Sequence, residues 1–201
     1  SPDYQDYYYF LQSVGCHVGE IAERLLVLLL RHLPLGERVL LAVDDTPTKR
    51  YGPCVQGAGI HHNPTPGPAD QKFVYGHIWV TVSLVIRHPL WGAIGLPVLA
   101  MLYIRKKDFA PTAALYGWEF QTKLQLAVKA VSRFIQLLQR AGKRIWVVAD
   151  GAYAKRPFLK PLLQAGITVV SRLRRDAALR SVPPPRPPDQ KRGRGRPPTY
   201  G

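Results

Sequence analysis

Apolar side chains recur along this chain with two periods, one typical of helices and one typical of buried strands. Leucines and isoleucines at helical spacing predict a helix over 21–32. An amphipathic helix is predicted over 122–140, with basic residues opposite an apolar face. A third helix is predicted over about 156–164. Gly142 ends the helix over 122–140, and Gly166 ends the helix over 156–164.

Five short runs rich in Val, Ile and aromatic residues predict strands, the first over 39–45 and the others over 77–86, 94–105, 144–150 and 167–171. The Gly-, Pro- and His-rich stretch 47–68 is predicted as a loop. Three strands, a long helix, a strand, a helix and a strand form the element order of the ribonuclease H-like fold. We therefore expect an α/β protein with a mixed five-stranded sheet and flanking helices.

The composition along the chain predicts three regions. Residues 1–36 form a helical N-terminal segment, which we expect to be the end of an upstream region because the chain starts without Met. Residues 37–175 hold the sheet and its helices, and residues 176–201 form a basic tail or linker rich in Pro, Arg and Gly. Such a tail cannot bury a core of its own.

The balance of charge predicts a polyanionic partner. The chain has 28 Lys and Arg against 13 Asp and Glu, a formal net charge of +15. DNA is favoured over an anionic membrane because the basic residues are spread along the chain and the longest apolar run, 25–30, is far too short to span a bilayer. We expect a cytoplasmic protein that associates with the nucleoid when bound to DNA.

Two of the predicted strands run directly into carboxylates. The apolar run 39–43 is followed by Asp44 and Asp45, and the run 145–149 is followed by Asp150. Buried strands seldom end in acids without a functional reason. In the expected fold these two strands are neighbours, so their acids would meet and could hold Mg²⁺ or Mn²⁺ against a phosphate. For either aspartate alone, capping a turn is the plainer interpretation.

The residues around these acids resemble the DDE transposases of bacterial insertion sequences: VDDT at 43–46, KRYG at 49–52 and VADGAY at 148–153. The resemblance covers most of 39–201 and implies a ribonuclease H-like fold in which three acids bind two magnesium ions. It implies that Asp45, directly before Thr46, is the first acid and that Asp150 is the second. Asp44 is the weaker alternative, because adjacent side chains of a strand point to opposite faces.

The third acid of the family is missing from its expected place. In the family it is a Glu on a helix after the fifth strand, and this chain has no Glu beyond Glu119. Its only later acids, apart from Asp150, are Asp176 and Asp189. We therefore expect a chain that ends before the catalytic helix and whose active site is incomplete.

Several further residues are candidates for contact with DNA. Lys49 and Arg50 follow the first acid and could contact the scissile phosphate, although solvated surface cations are equally common. The tail carries Arg192, Arg194 and Arg196, which could enter a narrow minor groove or add phosphate attraction as a solvated linker. We prefer the linker.

Other notable residues have plainer interpretations. Cys54, His61 and His62 are too few and too poorly spaced for a structural zinc site, so an exposed loop is favoured. The four tryptophans are expected to pack in the core. Tyr153 could pack or could position substrate, and the sequence does not decide between these roles.

These observations predict a DNA transposase fragment that is itself largely inactive. In full length the enzyme would nick DNA at transposon ends and join the 3′ hydroxyl to target DNA by two-metal phosphoryl transfer. The resemblance also implies that two copies act together on DNA. Two alternatives stay open: a non-catalytic DNA-binding regulator, and another nuclease of the same fold.

Overall fold

The computed structural model describes residues 3–33, 35–63 and 71–173. The helices are α1 (Tyr4–Cys16), α2 (Val18–His32), α3 (Ala110–Tyr116), α4 (Lys123–Arg140) and α5 (Arg156–Gln164), with a 3₁₀ turn at Lys106–Asp108. The strands are β1 (Arg38–Lys49), β2 (Gly59–His62), β3 (Phe73–His88), β4 (Gly92–Tyr103), β5 (Arg144–Ala149) and β6 (Thr168–Ser171). Asp176, Asp189 and the tail arginines Arg192, Arg194 and Arg196 lie outside the described residues.

The six strands form one mixed sheet with β3 and β1 at its centre. β1 runs antiparallel to β3 and parallel to β5, and β5 runs parallel to β6. The far side of β3 is shared, since β2 pairs with its first residues and β4 with the remainder. The prediction of a ribonuclease H-like mixed sheet with flanking helices is confirmed.

Two features of the sheet differ from the expected five strands. β1 continues through the acids to Lys49, because its second half pairs with β3 as far as Gly76. The additional strand is β2, which lies in the stretch that was predicted as a loop. It carries two histidines and a glycine, so no apolar run identified it, and only its pairing with β3 makes it a strand.

The hydrophobic core lies on one face of the sheet. Along β1 the side chains alternate, so Val39, Leu41 and Val43 are buried whereas Leu40 and Ala42 on the other face are only partly covered. Helices α2, α4 and α5 all contribute to the core on the first face. Its fully buried helical side chains include Leu26, Ala127, Ala130, Val131, Phe134, Leu138, Phe158 and Leu162.

Helix α4 is the central element of this face, and its start is well defined. Thr122 caps it: the Gln125 backbone N–H donates to Thr122 Oγ1 at 3.3 Å, and the Thr122 backbone N–H donates to Gln125 Oε1 at 2.9 Å. This reciprocal pair satisfies two backbone donors of the first turn. Lys123 is therefore held as the first helical residue, at the end of the helix that faces the acids.

The N-terminal helices differ in how they pack. α2 places Ala22 and Leu26 in the core, whereas α1 has no buried residue. The prediction that residues 1–36 form a separate segment stays a prediction. No helix within 3–33, 35–63 and 71–173 has the length and apolar character that crossing a membrane requires.

The tryptophans do not all pack as expected. Trp91 is 74% exposed and Trp118 is 49% exposed. Trp91 lies in the turn between β3 and β4, where its ring stacks on His88 with the centroids 4.3 Å apart. The expectation of core packing was wrong for these two residues, because each follows an apolar run without being part of a strand or helix that faces the core.

We expect Phe134→Ala to lower the free energy of unfolding by about 3–5 kcal/mol, because it opens a cavity beneath α4. Phe134 has 0% exposure, whereas Phe10 on α1 is 63% exposed. The matched substitution Phe10→Ala should change stability by less than about 0.5 kcal/mol. Urea unfolding followed by circular dichroism measures both, and equal losses would contradict the placement of the core.

Candidate active site between two neighbouring strands

The parallel pairing of β1 with β5 brings the predicted acids together. The last paired residues are Val43 and Ala149, and the next residues along the two strands are Asp44 and Asp150. Neighbouring strands lie about 4.8 Å apart, so Asp44 and Asp150, which are 106 positions apart in the sequence, lie on adjacent chain segments. β5 ends at this point, whereas β1 continues, so Asp150 begins a turn and Asp45 lies within a strand.

Asp44 and Asp45 point to opposite faces of the sheet, as strand alternation requires. Asp45 shares the core face with Val43 and is paired with Val80 of β3, and its side chain is 25% exposed. Asp44 is more exposed, and its Oδ1 accepts a hydrogen bond from the Asp45 backbone N–H at 2.8 Å. Asp45 is thus the acid that lies on the same side as α4.

Both carboxylate oxygens of Asp45 face protein donors. The Lys123 ammonium forms an ion pair with Oδ2, and the Tyr153 hydroxyl lies 3.5 Å from Oδ1. Lys123 is the first residue of α4, and Tyr153 follows β5 by four residues. Three separate elements therefore position this one carboxylate.

Asp150 is held mainly by its own turn. Its Oδ1 accepts a hydrogen bond from the Ala152 backbone N–H at 2.7 Å, which fixes the side chain against the backbone after β5. The Ser171 hydroxyl at the end of β6 donates to the Asp150 carbonyl oxygen at 2.8 Å. The capping role that the sequence suggested for Asp150 is therefore present, and its Oδ1 takes part in it.

The three aspartates share one electrostatic environment. Partial burial raises the pKa of Asp44, and the negative charges of Asp45 and Asp150 raise it further, against a hydrogen bond from Asp45 and the positive charge of Lys123. Burial also raises the pKa of the Tyr153 hydroxyl far above its ordinary value, with Asp45, Asp44 and Asp150 adding to the effect. Tyr153 therefore keeps its proton and acts as a hydrogen-bond donor.

The donor set suits a hard divalent cation, because carboxylate oxygens on two adjacent strands are the ligands that Mg²⁺ and Mn²⁺ prefer. In the part of the chain that the structure describes, no group of three or more His, Cys, Asp or Glu side chains is arranged to hold a metal ion. Asp45 and Asp150 fit such an ion by their chemistry, and Asp45 lies one residue beyond the level of Asp150 on the adjacent strand. Asp45 is engaged by Lys123.

Arg50, which directly follows β1, is anchored by a histidine that sequence reasoning did not single out. The Arg50 guanidinium donates to His77 Nδ1 at 3.2 Å, and His77 Nε2 lies 2.9 Å from the Gln56 carbonyl oxygen. The ring therefore carries its proton on Nε2 and accepts on Nδ1. Arg50 and Lys49 are both exposed at the end of β1.

The histidines of β2 have different environments. His61 is 9% exposed, and its Nε2 has no hydrogen-bond partner among the described residues. Burial lowers the pKa of His61, and the nearby charges of Arg105 and Lys123 lower it further. His62 is exposed and its ring lies against Phe73. The exposed loop expected for both residues was wrong for His61, which the β2–β3 pairing turns inward.

A concave surface elsewhere does not coincide with the acids. A groove of about 680 Å³ runs along β4, between Gly19 and Trp118, and its lining is mainly apolar. None of the three aspartates lines it. The candidate site is therefore the open junction of β1 and β5 rather than this groove.

The comparison with protein families agrees with the fold. The family model described as DDE superfamily endonuclease matches residues 1–201, the whole chain. No curated protein matches the chain.

We expect Tyr153 to have a packing role that is separable from its hydroxyl. The residue is 2% exposed and its ring packs on Phe158. Tyr153→Ala should therefore cost about 3–5 kcal/mol of stability. Tyr153→Phe should cost about 1 kcal/mol, because it removes only the long contact with Asp45. Thermal and urea unfolding of the two variants check this, and a loss as large for Phe as for Ala would contradict it.

Proposed function

Since this chain belongs to the DDE superfamily of endonucleases, we propose that it is a DNA transposase domain whose Asp45 and Asp150 hold divalent metal ions for cleavage of a phosphodiester bond. The observation that supports this most directly is the β1–β5 register, which sets Asp44 level with Asp150 and therefore leaves Asp45 one residue further along the adjacent strand. Enzymes of this superfamily act on DNA. The proposed reaction nicks DNA at transposon ends and then joins the freed 3′ hydroxyl to target DNA.

In the nicking step a water oxygen bonds to phosphorus while the P–O3′ bond breaks, which leaves a 3′ hydroxyl and a 5′ phosphate. Mg²⁺ or Mn²⁺, when bound, supplies Lewis-acid activation of the attacking oxygen and of the scissile phosphate. The chain's own residues orient the ligands for this step. Tyr153 sets the direction of the Asp45 carboxylate through Oδ1, and the Ala152 N–H sets that of Asp150.

The third acid is not supplied by the described residues. No Glu occurs beyond Glu119, and Asp44 is the remaining carboxylate close to the pair. With two of the three family acids in place, we expect weak metal binding, in the millimolar range, and slow nicking. That two copies act on two DNA ends is an inference from the family resemblance.

A second candidate function is DNA binding without catalysis. It is favoured by the net charge of +15, because a basic chain attracts DNA phosphates whether or not it cuts DNA. The catalytic function requires that Asp45 and Asp150 bind a metal ion, whereas the non-catalytic function does not.

Titration of the 201-residue chain with Mn²⁺ by calorimetry tests the metal site without knowledge of the DNA sequence. We expect binding to disappear in Asp45→Asn and in Asp150→Asn, because each removes a charged ligand. Asp44→Asn should weaken binding less, since its side chain lies on the other face. Glu37→Gln, at the opposite end of β1 and with its side chain 80% exposed, is the control and should bind as the wild type does.

Absence of Mn²⁺ binding in the wild-type chain, or binding that survives in both aspartate variants, would contradict the proposed site. Either result would favour the non-catalytic function if the chain still bound DNA. Circular dichroism of each variant shows whether a lost signal reflects lost structure instead of a lost ligand.

We expect Arg50 to contact a phosphate, because it is exposed directly after β1, five residues beyond Asp45, and its guanidinium is held by His77. Arg50→Ala should make the slope of log affinity against log salt less steep by about 0.9, the value of one phosphate contact. The control is Arg144→Ala, an exposed arginine that pairs with Glu37 at the other end of the sheet. Fluorescence anisotropy with duplex DNA between 50 and 200 mM salt measures the slope, and an equal change in both variants would refute the contact.

A further inference from the structure

Lys123 occupies an unusual position for a basic residue. It is the first residue of α4, and the first turn of that helix carries no acid. The N-terminus of a helix bears a partial positive charge, which favours carboxylates and disfavours an ammonium group. The position is therefore electrostatically unfavourable for Lys123 unless an anion lies next to it.

The anion next to Lys123 is the first catalytic acid. The ammonium pairs with Asp45 Oδ2, with side chains 36% and 25% exposed, and lies 5.6 Å from the centre of the Tyr103 ring. Asp44 and Asp150 add negative charge to the same environment. The ammonium is thus paired with Asp45, and its charge also acts on Asp44 on the other face of the sheet.

We propose that Lys123 acts as a stand-in cation, which holds Asp45 in the metal-free protein and must leave Oδ2 before a divalent ion can bind there. The proposal rests on the proposed function, since it takes Asp45 as a metal ligand. Lys123 is a positioning residue in this scheme. Its release is favoured by the helix N-terminus, and a DNA phosphate near the site offers the ammonium a new partner.

This arrangement couples metal binding to DNA binding. In the absence of DNA the metal competes with an intramolecular ammonium, whereas bound DNA supplies an alternative anion and removes that competition. Because such coupling is reciprocal, metal should also tighten DNA binding. The metal-free enzyme would then be held in a neutralised state until both the ion and its polyanionic substrate are present.

Replacement of the ammonium by an apolar side chain of similar length tests the proposal. We expect Lys123→Met to tighten Mn²⁺ binding by about fivefold to tenfold in calorimetry without DNA, a modest factor because the pair is partly solvated. Lys129→Met removes the same charge from the exposed side of the same helix. It should change the affinity by less than about twofold, since solvent screens the more distant charge.

Two further measurements separate this role from a structural one. Lys123→Arg keeps the charge and should leave Mn²⁺ affinity low. Without metal, Lys123→Met should unfold at a lower temperature than the wild type, because the carboxylates then repel one another. Saturating Mn²⁺ should raise its unfolding temperature by more than it raises that of the wild type. A residue with only a structural role would lose stability without any gain in metal affinity.

The outcomes distinguish this inference from the proposed function. Equal Mn²⁺ affinities of the wild type and Lys123→Met would overturn the stand-in role and leave the metal site intact. Absence of Mn²⁺ binding in both proteins would overturn both proposals. Equal tightening by Lys129→Met would also overturn it, because the effect would then reflect total charge alone.

Discussion

The parallel pairing of β1 with β5 is the constraint on which the rest of this structure depends. It aligns Val43 with Ala149, so the acids that follow the two apolar runs begin at the same level of the sheet. A shift of one residue in this register would turn every side chain of β5 to the other face and would place Ile145 and Val147 away from the core. The burial of those side chains against α4 and α5 therefore also fixes the position of Asp150.

Strand β1 carries both the buried side chains of the core and, further along, the acids of the candidate site. The strand is buried where it lies between β3 and β5 and becomes more exposed where β5 has ended, and the transition occurs at Asp44. Pairing with β3 keeps the chain straight beyond that point as far as Lys49. Asp45 is consequently held in a rigid strand although it faces an open junction, a favourable setting for an oriented ligand.

The charges around Asp45 explain how a cluster of acids is tolerated in a folded protein. The charges of three aspartates act on the buried Tyr153 hydroxyl, and Lys123 is the cation that pairs with Asp45. The capping box of Thr122 and Gln125 sets where α4 begins, and so sets the place from which Lys123 reaches the carboxylate. A local feature of one helix terminus thus controls the electrostatics of two distant strands.

The sequence by itself determined the helices and strands whose apolar residues recur with a clear period, and it identified the acids that directly follow two of those strands. The apolar runs before Asp45 and Asp150 predicted adjacent strands, and the facial pattern of 122–140 predicted α4, because burial imposes these periods locally. β2 was not predicted, since its residues carry no apolar run, and α1 was predicted only as part of a helical segment over 1–36, since it has no buried face. The pairing of Lys123 with Asp45, 78 residues apart, and the approach of Tyr153 to the same carboxylate, 108 residues apart, were decided by tertiary structure alone. Such contacts depend on how strands and helices pack, and no local pattern of side chains records which distant residue will complete them.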